Sequence, residues 1–150
     1  KLPGRRRVEI SSRVGELQPL RSTGLGKALL LDEDDTQLRD FYRCENGNGQ
    51  RYKVSESAWM KRMREYVKRG CAFDLEENED RIRCVAAPVR DATGKIKAAI
   101  SVSSAAQYMN DKRMQALTDD VRWTAEQISR ELGWEGASIS AGSKSARKAA

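Results

Sequence analysis

No histidine occurs in the 150 residues of this chain. That absence removes the usual general base of nucleophilic hydrolases and the commonest transition-metal ligand together. Cysteine is scarce: Cys44, Cys71 and Cys84 form no C-x-x-C pair. An odd number of separated thiols suits reduced cysteines in a cytoplasm better than a disulfide framework. Neither a signal-peptide pattern nor an apolar run of membrane-spanning length is present, so a soluble, cytoplasmic protein without membrane contact is expected. No helix-turn-helix pattern is found either, and direct DNA binding by these residues is not expected. The chain opens on Lys1, not on an initiator methionine.

The charge that is present has an uneven distribution. The net value is +6, but Lys1, Arg5, Arg6 and Arg7 supply four positives at the start, and Lys144, Arg147 and Lys148 supply three in the tail. Between these acid-free ends the body is nearly neutral, which again argues against a basic nucleic-acid face. An apolar content of 39% over 150 residues is low but enough for one compact domain.

Residues 70–103 form the block around which the rest is arranged. Residues 81–89 are β-prone, Asp91-Ala92-Thr93-Gly94 is a turn with glycine where positive φ is easiest, and residues 95–103 are a second run rich in isoleucine and valine. The pattern predicts an antiparallel pair. With Arg90 opposite Lys95, Cys84 faces Ser101 and Ile82 faces Ser103, so Cys84, Ser101 and Ser103 share one side. Ile96, Ala98, Ile100 and Val102 make an apolar row on the other side, which needs a partner layer. A thiol and two hydroxyls can be plain core filling. What gives that face interest is the turn just upstream, where Asp74, Glu76, Glu77, Glu79 and Asp80 place five carboxylates in seven residues. Such runs are mostly solvated surface, and this one lacks the ligand spacing and central glycine of a calcium loop, so no metal site is expected. Phe73-Asp74, after a helix ended by Gly70, reads as a short strand delivering Asp74 to the same face.

The blocks Gly70, Phe73-Asp74-x-Glu76-Glu77, Arg83-Cys84-x-Ala86-x-Pro88-Val89, Asp91, Gly94 and Ser101-Val102-Ser103 occur in this order. Upstream stands Pro19-Leu20-x-Ser22-Thr23-Gly24-x-Gly26-Lys27-Ala28, and a long helix follows. Together, over roughly residues 1–135, they resemble the effector-binding domain of the isocitrate lyase regulator (IclR) family of bacterial transcription factors. The resemblance implies an α/β domain of α+β type, with a GAF-like antiparallel sheet and helices packed on it, over residues 1–134. It also implies that the domain's opening helix and first strands, and the winged helix-turn-helix through which such regulators bind DNA, are missing here.

In front of the block, Val8, Ile10 and Ser12 alternate with polar residues, which predicts a half-buried strand over residues 7–13. Residues 15–19 read as a loop. Ser22-Thr23 reads as a cap for a short helix opening on Gly24-Leu25-Gly26. Two glycines at a helix start expose backbone amides to an anion, or serve helix packing. Residues 32–43 and 55–69 predict two further helices, broken apart at Asn46-Gly47-Asn48-Gly49. Trp59, Met63, Tyr66 and Val67 fall at helical spacing, a stripe read as core and not as a cofactor box. Asn110 caps the last helix, residues 111–132, whose apolar stripe is Met114, Leu117, Val121, Ala125, Ile128 and Leu132. That stripe should cover the apolar sheet face, or pair in part with another subunit. Residues 135–150 are too poor in apolar residues to repay ordering and are expected to be a disordered tail.

The resemblance further implies a small-molecule effector, a small carboxylic or hydroxy acid, and no cofactor. The amides of Gly24 and Leu25 would take its carboxylate, and Asp74, Cys84, Ser101 and Ser103 would hold the remainder. Leu20, Ser22, Leu29 and Ile82 would wall the pocket. Asp74 suits a ligand hydroxyl better than a carboxylate, because two negative charges in contact repel. Family members act as dimers or tetramers, so a homodimer or homotetramer is expected. Two other functions stay open. One is a GAF-type thiol enzyme, such as a free methionine sulfoxide reductase using Cys84, although only Arg81 or Arg83 could lower its pKa. The other is an oligomerisation domain without a ligand.

Overall fold

The computed structural model describes residues 1, 2, 4, 10–45 and 52–136. Helix starts are set by side-chain caps. Thr23 accepts the Gly26 amide and opens α1, Gly24–Leu29. Asp34 accepts the amides of Thr36 and Gln37, so α2 runs Asp35–Cys44 and begins later than the acidic residues alone suggest. Ser55 caps α3, Glu56–Arg69, which stops at a left-handed Gly70. Three strands follow, β1 Ala72–Leu75, β2 Ile82–Arg90 and β3 Ile96–Ala105, forming one antiparallel sheet in the order β1-β2-β3. A short 3-10 turn, Ala106–Tyr108, leads to α4, Asp111–Glu131, capped by Asn110. The architecture is α+β, with a three-stranded antiparallel sheet and four helices among the described residues, as the sequence implies.

The register differs from expectation. Cys84 pairs with Ser103, Ala86 with Ser101 and Ile82 with Ala105. The cause lies at the loop end, where the ladder is irregular between Val89 and Arg90 and the Arg90 amide donates to Ser129 Oγ at 2.8 Å. The offset is two residues, and an even offset leaves every side chain on its predicted face. Cys84, Ser101 and Ser103 therefore still share a side, joined by Asp74, which pairs with Cys84.

The opposite face, with Val85, Ala87 and Val89 fully buried, is covered by α4. The helix is rotated from its predicted stripe. Met114, Thr118, Val121, Ala125 and Ser129 are buried, whereas Ile128 and Leu132 are exposed. Two polar residues can enter this seam because their hydroxyls donate within the helix, Thr118 to the Met114 carbonyl at 3.0 Å and Ser129 to that of Ala125 at 2.7 Å. Helix α4 lies mainly over β2, so Ala98 and Val102 of the predicted apolar row remain exposed.

Residues 10–13 do not form the predicted strand, and Val8 lies outside the described residues. Their backbone groups go to side chains: the Ser11 amide donates to Glu79 Oε2 at 3.1 Å, and Lys1 Nζ donates to the carbonyls of Ile10 and Ser12 at 3.1 and 2.7 Å. On α3, Trp59, Met63 and Tyr66 are core as predicted, with Met60 buried and Val67 exposed. The Asn46-Gly47-Asn48-Gly49 break and residues 137–150 lie outside the described residues.

Candidate functional site

Helix α1 sits directly on the polar side of the sheet. A Cβ at Gly24 would lie 2.7 Å from Cys84 Sγ, and one at Gly26 would lie 2.4 Å from the Leu20 backbone. Only glycine lets the chain come this close. The ladder inside α1 begins with the Lys27 amide on the Thr23 carbonyl, so the amides of Gly24 and Leu25 have no helical acceptor.

Behind this contact lies a buried ionic cluster. Lys27 Nζ donates to the Phe73 carbonyl at 2.8 Å and pairs with Glu77, whose carboxylate is also held by Arg62 and by the Tyr52 hydroxyl at 2.7 Å. Burial draws the Lys27 ammonium below its ordinary pKa, against the pull of Glu77. The Glu77 and Asn78 amides donate to Asp74 Oδ1 at 2.8 and 3.4 Å, and Ser22 Oγ donates to Asn78 at 2.9 Å. Around the turn, Glu76 pairs with Arg83, Asp80 with Lys53, and Glu79 accepts from Ser11. Glu76 and Arg81 both hold left-handed φ, at 66° and 62°. A run expected to be solvated surface is instead a fastened turn that fixes Asp74, and the left-handed residues are conformational cost held at that site.

Asp74 is thereby buried with one carboxylate oxygen bonded to the turn. Burial pushes its carboxyl pKa up, against the pull of those amides and of Lys27. Cys84 is buried, which pushes the thiol up, against the pull of the Ser103 and Ser101 hydroxyls beside it. A buried thiol whose pKa is raised is a poor nucleophile. Cys44 and Cys71 are free, and among the described residues no cluster of His, Cys, Asp or Glu could hold a metal ion.

A cleft of about 460 Å³ opens over this surface. Gly24, Leu25, Asp74, Cys84, Ser101 and Ser103 all line it, as does Ile82. Leu20, Ser22 and Leu29 do not: Ser22 serves the turn through Asn78, and Leu20 packs on the core. Arg21 points away from the cleft, over the Tyr42 and Tyr52 rings at 5.0 and 4.2 Å. Asn78, Glu79 and the 10–18 segment also line the cleft. Sequence reasoning missed them, along with the Lys27–Glu77 pair, since nothing in residue spacing signals a loop folding over a distant turn. A second, larger cavity of about 680 Å³ lies between the hairpin loop and Gly133. Its cation, Arg90, is already spent on Asp32 and the Gly94 carbonyl, and Glu135 is the only other charged residue of its lining.

Residues 1–130 match the family described as Bacterial transcriptional regulator IclR C-terminal. An uncharacterized HTH-type transcriptional regulator of Haemophilus influenzae is 33% identical over 127 residues, which cover 81% of this chain and 47% of that protein. The HTH-type transcriptional regulator KdgR of Escherichia coli is 28% identical over 134 residues, 85% of this chain and 49% of KdgR. The chain thus spans about half the length of these relatives. The crystal structure of Thermotoga maritima IclR superimposes with a TM-score of 0.77 at 28% identity, covering 89% of this chain and 55% of that one. Among the described residues no helix is long and apolar enough to cross a membrane.

Proposed function

This chain belongs to the IclR family of bacterial transcriptional regulators, matching its C-terminal domain, and we propose that it senses a small organic acid for such a regulator. The observation that carries this reading is that Gly24, Leu25, Asp74, Cys84, Ser101 and Ser103, far apart in sequence, line one cleft. The effector's carboxylate meets the amides of Gly24 and Leu25, which have no acceptor within the helix. Its hydroxyl donates to Asp74, whose second carboxylate oxygen has no hydrogen-bond partner among the described residues, while Ser101, Ser103 and the neutral Cys84 thiol complete the polar floor and Ile82 the apolar wall. A hydroxy acid satisfies this set better than a dicarboxylate, which would bring a second negative charge against Asp74.

Sensing then follows from linkage. A ligand moves a DNA-binding equilibrium only by its different affinity for two conformations, so closure of the cleft must alter how subunits and the helix-turn-helix domain of the full-length regulator are held. A homodimer or homotetramer is the assembly proposed. The relatives named above are transcriptional regulators, in keeping with a Cys84 thiol whose pKa burial pushes up.

A thermal-shift screen of the chain against small carboxylic, aromatic and sugar acids tests the reading, because a ligand that binds only the folded state raises Tm by mass action. A rise confined to one chemical class and lost in Ser101→Ala and Asp74→Ala is expected. A flat response from the folded wild type would overturn it.

A further inference from the structure

Five charged side chains line the cleft: Lys1, Arg13, Glu16, Asp74 and Glu79. Four of them are already engaged. Lys1 Nζ bonds two carbonyls, Glu16 accepts the Arg13 amide at 3.3 Å, Glu79 accepts from Ser11, and Asp74 accepts from the turn. Only the Arg13 guanidinium makes no ion pair or hydrogen bond among the described residues. Most arginines here are used otherwise: Arg39, Arg43, Arg62, Arg64, Arg83 and Arg90 all sit on carboxylates.

The cleft's own electrostatics make that guanidinium consequential. Three carboxylates line it, and the lysine nearest to Asp74, Lys27, is neutralised by Glu77. The lining carries three carboxylates against two cations, and of these Lys1 is committed to the Ile10 and Ser12 carbonyls, so an acid entering beside a carboxylate meets like charge that the Arg13 guanidinium is free to offset. A planar, permanently charged fork is the group best suited to receive a carboxylate.

We propose that Arg13 is a specificity-determining contact for the effector's carboxylate, supplied by the 10–18 segment, which lines the same cleft as Asp74. The preferred ligand is thus a monocarboxylate bearing hydroxyls, with its acid end toward Arg13 and the Gly24–Leu25 amides and its hydroxyl end toward Asp74. The segment is already tethered at its start, where the Ser11 amide and hydroxyl both reach Glu79 at 3.1 and 2.7 Å, which fastens it to another residue of the cleft lining. This rests on the effector-binding reading above and goes further by giving the cleft two poles.

The test is calorimetric titration of the chain with gluconate, lactate and glycolate, and with the uncharged sorbitol, propylene glycol and ethylene glycol as carboxylate-free counterparts. Wild type, Arg13→Ala, Arg13→Lys and Ser101→Ala are compared at two salt concentrations. The expected result is that the tightest acid binds more strongly than its polyol. Arg13→Ala should weaken the acid by about tenfold, the lower range for a hydrogen bond to a charged group, and should remove most of its salt dependence. Arg13→Lys recovers part of the affinity, and the polyol is indifferent to both variants. If Ser101→Ala abolishes acid binding while Arg13→Ala leaves it unchanged, the cleft reading stands and the role of Arg13 is overturned. If none of the three acids binds, the two-pole specificity is overturned as well, while the wider acid screen still decides whether the cleft binds another class. Arg13 is exposed and carries no packing, so unchanged circular dichroism and Tm are expected in its variants.

Discussion

The two faces of the one sheet are stabilised by different physics. Under α4, Val85, Ala87 and Val89 meet Met114, Val121 and Ala125, and non-directional apolar burial does the work. Under α1, the same strand presents Cys84, and the layer is held by directional bonds: Lys27 to Phe73 and Glu77, Glu77 to Arg62 and Tyr52, and the acidic turn to Asp74. The first face can lose volume and still be a core. The second aims particular atoms, and it is the face with the cleft. Alternation along a single strand is what lets stability and recognition be separated to within one residue.

That contrast can be broken from either side. Glu77→Ala should be the most damaging substitution on the α1 face, because it leaves the buried Lys27 ammonium without its counter-ion. Removing one partner of a buried pair costs roughly 3–5 kcal/mol. Urea denaturation would register this, and a loss under about 1 kcal/mol would show that the cluster is not what holds the turn. On the other face, Met114→Ala opens a cavity beneath α4 and should cost about 2–5 kcal/mol while leaving ligand affinity as it was, measured on the fraction still folded.

A sharper comparison lies within α1. Gly26→Ala forces a methyl into the Leu20 backbone and should destabilise by about 1–3 kcal/mol, with no side chain able to give way. Gly24→Ala meets the Cys84 thiol instead, so its smaller cost should be relieved by adding Cys84→Ala. A double-mutant cycle in chemical denaturation measures that coupling, and additivity would mean that α1 does not seat on Cys84.

The smallest effect expected is a pH dependence. Burial raises the Asp74 pKa above its ordinary 3.8, so the folded chain holds that proton more tightly than the unfolded chain does. Asp74 therefore contributes stability in acid that is lost as pH rises through the raised value. Asp74→Asn can still accept from the Glu77 amide, so its Tm relative to wild type should climb from pH 4 toward pH 7. A constant difference would contradict the burial of an ionisable Asp74.

How far the sequence reaches can be seen at these same residues. Helix starts were legible where Ser55 and Asn110 are strong caps, but Asp34 was hidden among neighbouring acids and α2 begins three residues later than the predicted residue 32; the shared face of Cys84, Ser101 and Ser103 survived a wrong register because the slip was even. The register itself was hidden by the irregularity at Val89 and Arg90, which is stabilised by Ser129 from 39 residues away. For the same reason the α4 stripe was misread: Thr118 and Ser129 are polar in composition but satisfied inside the helix. Lys27 and Glu77, 50 residues apart, look like surface charges in any local window. The alternation over residues 7–13 suggests a strand, but the amides of Ser11 and Arg13 are taken by the side chains of Glu79 and Glu16.

The central claim is that the α1 face of the sheet is the recognition surface. Amide chemical-shift mapping of the isotope-labelled chain, titrated with the tightest acid from the screen, tests it most directly. The account predicts shifts concentrated at Gly24, Leu25, Asp74, Cys84, Ser101 and Ser103, with Val85, Ala87 and the α4 amides little changed. Shifts centred instead on Arg90, Thr93, Gly94 and Gly133, around the larger cavity, would contradict it.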